Sequence, residues 1–165
     1  MLRATEILPA GTWPATQACD AIALDYDERH RRRMSYTAQA GTAFLLDLPR
    51  VTVMNDGDGL QLDDGRVIRI IAADEDLVEI TAPDAETLVR LAWHIGNRHQ
   101  PAQLSTSRIL IRDDHVIVAM LHGLGASTHS LRAPFTPEGG AYAASHAHGG
   151  GEHAQRYVLL AGRGH

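Results

Sequence analysis

From Leu77 to Arg132 the chain reads LVEITAPDAETLVRLAWHIGNRHQPAQLSTSRILIRDDHVIVAMLHGLGASTHSLR, and its apolar spacing alternates between that of strands and that of helices. Leu77-Val78-Glu79-Ile80 has strand composition. Thr81 followed by Asp84 resembles a capping box and Pro83 suits a first turn. Leu88, Leu91, Ala92 and Ile95 then recur at helical spacing, which predicts a helix from about Asp84. Gln103-Leu104-Ser105 and Arg108-Ile109-Leu110-Ile111 predict two further strands. Asp113 or Asp114 is placed to cap a second helix with Ile117, Met120, Leu121 and Leu124 on one face, and Gly123 and Gly125 end it. Ser127 to Arg132 supplies a closing strand. Strand, helix, strand, strand, helix, strand is the split β-α-β order of a ferredoxin-like fold.

Before this unit the signals are those of short strands and tight turns. Ala21-Ile22-Ala23-Leu24 and Gly41 to Leu48 have strand character, and Leu60-Gln61-Leu62 leads through Asp63-Asp64-Gly65 into Val67-Ile68-Arg69-Ile70, a hairpin signal. After it, Ser145-His146-Ala147-His148-Gly149-Gly150-Gly151 offers nothing for a core, which predicts a mobile tail. The expected class is therefore α+β. Residues 1–73 form a β-rich domain, read here as all-β, that is a candidate for binding a partner or peptide; residues 74–142 form a ferredoxin-like metal-binding domain; residues 143–165 form a mobile tail with metal-binding histidines.

With 165 residues, 44% of them hydrophobic and 21% charged, the chain has the composition of an ordinary globular protein of one large or two small domains. Its formal net charge of -5 has the wrong sign for neutralising phosphates or anionic lipid, so neither nucleic acid nor membrane is expected as a partner. No stretch has the roughly 20 apolar residues of a membrane span. The opening Met1-Leu2-Arg3-Ala4-Thr5-Glu6 lacks a signal peptide's apolar centre, which points to the cytoplasm. Cys19 is the single cysteine, so a bound metal must take nitrogen and oxygen ligands.

Ten histidines are the anomaly, nine of them from His94 onward. Imidazole nitrogens bind an ion at about 2.0–2.1 Å, so ligands to one ion must converge. His115 and His122 share a helix face but stand about 10.5 Å apart along the axis. His94 and His99 would project about 140° apart on an unbroken helix. His146 and His148, one residue apart in flexible chain, can reach the same ion. If the first helix runs on through Gly96, His99 falls on the stripe of Leu88, Ala92 and Ile95. It is then either a half-buried, hydrogen-bonded core histidine or a residue at a two-fold interface, where it meets its own copy and one histidine per chain becomes two ligands.

Other patterns are weaker. Arg29-His30-Arg31-Arg32-Arg33 follows Asp25-Tyr26-Asp27-Glu28, which offsets its charge, and reads as a solvated face. Asn55-Asp56-Gly57-Asp58-Gly59 imitates a calcium loop but has Leu60 and Val67 where oxygen ligands belong, and reads as a turn. His148-Gly149-Gly150-Gly151-Glu152-His153 has one residue too many for an inverted zinc-protease motif and three glycines that no helix holds. No hydrolase elbow or phosphate-binding loop is present, so nothing favours an enzyme. A metal-dependent hydrolase, or a nucleic-acid-binding module with incidental surface histidines, is the competing reading; nickel titration set against DNA binding discriminates them.

Trp93-His94-Ile95-Gly96-Asn97-Arg98-His99-Gln100-Pro101 closely resembles the signature of the urease accessory protein UreE family of nickel metallochaperones. Asp113-Asp114-His115-Val116, then Met120-Leu121, Leu124-Gly125, Pro134-Phe135 and Pro137-Glu138-Gly139-Gly140-Ala141-Tyr142 before a histidine-bearing tail, resemble that family in the same order. The resemblance covers most of the chain, more diffusely before Ala73. It implies a cytoplasmic homodimer, a β-rich domain followed by a ferredoxin-like metal domain, and delivery of Ni2+ to the apo-urease complex together with an accessory GTPase. It implies His99 as the interface ligand, His146 and His148 as tail ligands, and His115 as a further metal-binding residue. Asp113 stands where some relatives carry another histidine, and Zn2+ or Cu2+ would suit the same imidazoles.

Overall fold

A computed structural model describes residues 1–139. The tail expected from residue 143, with His146 and His148, lies outside the described residues.

Residues 2–72 build a six-stranded sheet from β1 (Leu2–Leu8), β2 (Ala18–Leu24), β3 (Arg33–Thr37), β4 (Ala43–Asp47), β5 (Gly59–Leu62) and β6 (Val67–Ala72), in the order β2-β6-β5-β1-β4-β3. The expected hairpin is β5–β6, antiparallel with Leu60 opposite Ile68. β1 lies parallel to β4 and β2 parallel to β6, so the sheet is mixed. Strand alternation turns Phe44 and Leu46, Leu60 and Leu62, Ile68 and Ile70 into one core. Asp56 and Asp58 in the Asn55–Gly59 turn accept backbone N–H groups from Ala72 at 2.8 Å, Ala10 at 2.9 Å and Asn55 at 2.7 Å.

This part is not all-β, as the sequence reading had it. A 3-10 turn spans Ala15–Gln17, and Tyr26–Arg29 forms a short helix, α1. Asp25 accepts from Glu28 N at 2.8 Å and Glu28 accepts from Asp25 N at 3.0 Å, a reciprocal cap. These carboxylates therefore cap a helix, and the arginine run is only in part a solvated face. Arg31, Arg32 and Arg33 are exposed, but Arg29 is completely buried.

Residues 74–134 build the expected β-α-β-β-α-β unit: β7 (Asp74–Thr81), α2 (Ala85–Asn97), β8 (Gln103–Leu104), β9 (Ile109–Arg112), α3 (His115–Gly123) and β10 (Ser127–Pro134). The sheet order is β10-β7-β9-β8 with every neighbour antiparallel. β10 pairs along the whole of β7, from Ser127 opposite Thr81 to Pro134 opposite Asp74. Two details differ from expectation, the cap of α2 and the place of Leu124, while Asp114 is one of the two caps expected for α3. Thr81 still belongs to β7, and Asp84 itself caps α2 by accepting from Thr87 N at 2.7 Å. Asp114 caps α3 through Val116 N and Ile117 N, while Leu124, 39% exposed, lies at the helix end and off its buried face.

Period-two alternation gives this sheet two apolar sides. Val78, Ile80, Ile109 and Ile111 face the helices and meet Leu88, Leu91, Ile95, Ile117 and Leu121. Leu77 and Leu110 point the other way and are covered by Phe135 and, from the first domain, Tyr26. The Tyr26 and Phe135 rings meet edge to face at 5.9 Å, with the Arg112 guanidinium 5.5 Å and 5.6 Å from their centres. Arg112 also pairs with Asp27 and Glu75, each at 3.2 Å. Arg29 completes the junction by donating to the carbonyls of Met54 and Phe135. Among the described residues no helix is long and apolar enough to cross a membrane.

Candidate metal site

The inward stripe of α2, Leu88, Leu91 and Ile95, fixes the helix on the sheet. The sequence reading put His99 on that stripe if the helix ran on to it, either half-buried or at a two-fold interface; the helix stops short of it. The helix ends at Asn97 with Arg98 as its cap, and His99 is exposed. Pro101 supplies the reason: it restricts Gln100 to extended backbone, and the chain must leave the helix before it.

His99 makes the exit in the left-handed conformation, φ +54°, unlike any other non-glycine residue among those described. His99 N donates to Gly96 O at 3.0 Å and Gln100 N donates to Ile95 O at 3.4 Å, the paired bonds of a Schellman ending. α3 ends in the same way. Gly125 has φ +92°, Gly125 N donates to His122 O at 3.1 Å and Ala126 N donates to Leu121 O at 3.0 Å. Two matching turns thus carry glycine in one case and histidine in the other. A residue with a Cβ loses about 1–2 kcal/mol there, and such strain concentrates at functional sites.

The imidazole consequently stands off the helix end, beside a groove lined by Ala92, Gly96, Gln100, Pro101, Leu104 and Glu138. The negative end of the α2 dipole favours a cation at this position. His115 has the opposite setting: it is exposed at the first position of α3, where the dipole is positive and the Asp114 carboxylate already caps Val116 N and Ile117 N. His122 is bonded to Thr128 Oγ1 at 2.7 Å, and the His94 ring meets Trp93 edge-on at 5.1 Å. Among the described residues no three or more His, Cys, Asp or Glu side chains converge to hold an ion. Neither His99 nor His115 belongs to such a cluster there, and His146 and His148 lie outside the described residues.

The face of α2 that leads to His99 is apolar and open. Val89 is 68% exposed and Trp93 64%, with Leu104 alongside at 45%. Gly96 lies on the same face, and a Cβ added to it would meet nothing within 4 Å. Glycine inside a helix costs about 0.5–1 kcal/mol against alanine, and nothing among the described residues requires it here. The sequence reading gave Val89 no role and Trp93 only a place in the family signature; their position outside the Leu88-Leu91-Ile95 stripe was the available signal.

Comparison with known proteins agrees with the two-domain fold. Residues 4–73 match the model of the UreE urease accessory protein N-terminal domain, and residues 75–158 match that of its C-terminal domain. The chain is 52% identical over 93% of its length to a urease accessory protein UreE from Bradyrhizobium sp. (strain BTAi1), of which it covers 74%. It is 52% identical over 96% of its length to a protein of the same name from Chelativorans sp. (strain BNC1), covering 97% of it, and 49% identical to one from Ruegeria pomeroyi over 87% of this chain and 93% of that one. With both domain models matched in order and half of its residues shared with these relatives, the chain belongs to the UreE family of urease accessory proteins.

Proposed function

We propose that this protein is a cytoplasmic nickel chaperone, not itself an enzyme, that carries Ni2+ as cargo to apo-urease with the help of an accessory GTPase. The observation that carries this reading is His99. An exposed imidazole sits on strained backbone at the cation-favouring end of a helix, beside an apolar face left open to solvent. A second copy of the chain laid on Val89, Trp93 and Gly96 brings two His99 side chains to one axis. Gly96 then has a use, because it permits close approach of the two helices. His146 and His148 complete the ligand set, and His115 is a separate, weaker binding residue. Residues 74–142 and the tail from 143 thus serve the metal, and residues 1–73 serve docking to partners.

Imidazole also accepts Zn2+ and Cu2+, with raw affinity favouring copper, so nickel is selected by geometry, availability and the receiving partner. The test is activation of apo-urease in a defined mixture of urease, accessory proteins and nickel. Adding this protein raises the activity reached, and the His99→Ala variant at the same concentration does not. Equal activation by the two proteins would overturn the assignment.

A further inference from the structure

β3 is an edge of the six-stranded sheet, with β4 on one side and, among the described residues, no strand on the other. Its register is fixed at both ends. Leu48 N donates to Arg32 O at 2.9 Å and Ala38 N donates to Thr42 O at 2.9 Å, while the partners between them run from Arg33 opposite Asp47 to Thr37 opposite Ala43. Hydrogen-bonded residues alternate along an antiparallel ladder. Arg32, Met34, Tyr36 and Ala38 therefore bond toward β4, and Arg33, Ser35 and Thr37 turn their N–H and C=O groups outward. All three are exposed. The opposite edge of the sheet, β2, is covered by the chain that follows β3: Gln39 N donates to Ala21 O at 2.8 Å, and Ala40 N and Thr42 N donate to the Asp20 carboxylate at 2.8 Å and 3.2 Å. β3 has no such cover among the described residues.

An open edge is a template for another extended chain, and the charge beside this one selects the kind of chain. Although the protein is acidic overall, Arg31, Arg32 and Arg33 are exposed where β3 begins, and Arg50 is exposed two residues past Leu48. Among the described residues Arg31, Arg32 and Arg50 pair with no carboxylate, and Arg33 shares Asp47, at 3.9 Å, with Arg3, at 3.3 Å. The acidic residues just before the run are engaged elsewhere: Asp25 and Glu28 cap α1, and Asp27 pairs with Arg112 at 3.2 Å. A second copy of this edge would bring arginines, not carboxylates, to the arginines. Nucleic acid would take the arginines and leave the outward carbonyls of β3 unused.

We propose that the β3 edge is a docking site for an extended acidic segment of a partner protein, which adds a strand along Arg33, Ser35 and Thr37 and sets its carboxylates against Arg31, Arg32 and Arg33. This rests on the reading in which residues 1–73 serve docking to partners, and it names the surface and the chemistry. Backbone pairing supplies the affinity and the arginines supply the choice of partner. The surface contains none of the histidines assigned to the metal, so docking and nickel binding are separable by mutation.

The test is fluorescence anisotropy of labelled probes titrated with the full chain. The probes are an octapeptide of alternating glutamate and threonine, the same peptide with lysine for glutamate, the glutamate peptide N-methylated throughout, which keeps its charge but has no N–H to give, and a short single-stranded DNA. The glutamate peptide is expected to bind about tenfold more tightly than the other three, and less tightly as salt is added. Each exposed ion pair is worth a factor of about two to five, so Arg31→Glu with Arg32→Glu should weaken the glutamate peptide about tenfold and leave nickel titration unchanged. Ser35→Pro removes one outward N–H while the ladder to β4 stays whole, and should cost several-fold. Equal binding of the glutamate peptide and its N-methylated form, tighter binding of DNA, or no binding of the glutamate peptide overturns the proposal. Should circular dichroism show Ser35→Pro to be unfolded, the N-methylated peptide still decides whether the backbone takes part. A protein that activates apo-urease but ignores the glutamate peptide sinks this proposal and leaves the chaperone reading standing; one that binds the peptide as expected but activates nothing sinks the chaperone reading alone.

Discussion

Replacing His99 with glycine should make the metal-free protein more stable while removing its metal. At φ +54° the histidine bears a left-handed cost of about 1–2 kcal/mol that glycine does not. The glycine variant has a freer unfolded chain, which gives back about 0.4–1 kcal/mol. Because His99 is exposed, little packing is lost with its ring. The net is a gain of about 0.5–1 kcal/mol, a rise in Tm of about 1–4 °C for a protein of this size. His99→Ala keeps the strain and gains nothing. The sister helix supplies the mirror experiment: Gly125 has φ +92° and a Cβ there meets nothing within 4 Å, so Gly125→Ala suffers only the backbone cost of about 1 kcal/mol. Thermal melts in the presence of chelator measure all three variants, and nickel titration follows on the first two. A His99→Gly protein that melts below the wild type would refute the strain argument; one that keeps wild-type nickel affinity would refute the ligand.

Three further outcomes are expected. Trp93→Asp places a charge on the open face of α2, where the proposed dimer is joined, so light scattering should report a dimer for the wild type and a folded monomer for the variant, with weaker nickel binding; an equal mass for the two would move the interface elsewhere. Imidazole binds metal only as the free base, so nickel should be released as the buffer is taken from about pH 7 to about pH 5, which a coloured chelator reports. Burial would raise the Asp20 carboxyl, but N–H bonds from Ala40, Ala21 and Thr42 outweigh it and lower it from 3.8 to about 2. Its folded pKa is depressed, so its stabilisation is fully present above about pH 4 and is lost as pH falls through about 2. Asp20→Asn should therefore cost about 1–3 kcal/mol near neutrality and flatten the acid side of a Tm-against-pH profile.

The second domain was legible because its elements repeat cleanly. Leu88, Leu91 and Ile95 mark one helix face, while Val78 and Ile80 alternate with Leu77. The first domain was harder. β1 fully buries only Ala4, and the edge strand β3 fully buries nothing, so neither shows the contrast that a pattern search needs. His99 was singled out by the family resemblance, but its helical setting failed because apolar period was followed past the point where Pro101 forbids helix. Arg29 was not legible at all. Its partners lie 25 and 106 residues away, and a local run of arginines says nothing about which one the fold will enclose.

The pairing of Pro134 with Asp74 has a consequence for how this protein can be taken apart and rebuilt. The chain enters and leaves the ferredoxin-like unit at adjacent points on neighbouring strands, so that unit is a cassette whose two ends meet. Cassettes of this kind can be lifted into a host loop, or have their termini joined and reopened elsewhere, without stretching the backbone. Grafted at that doorway, the Schellman turn bearing His99 would travel with its whole supporting sheet.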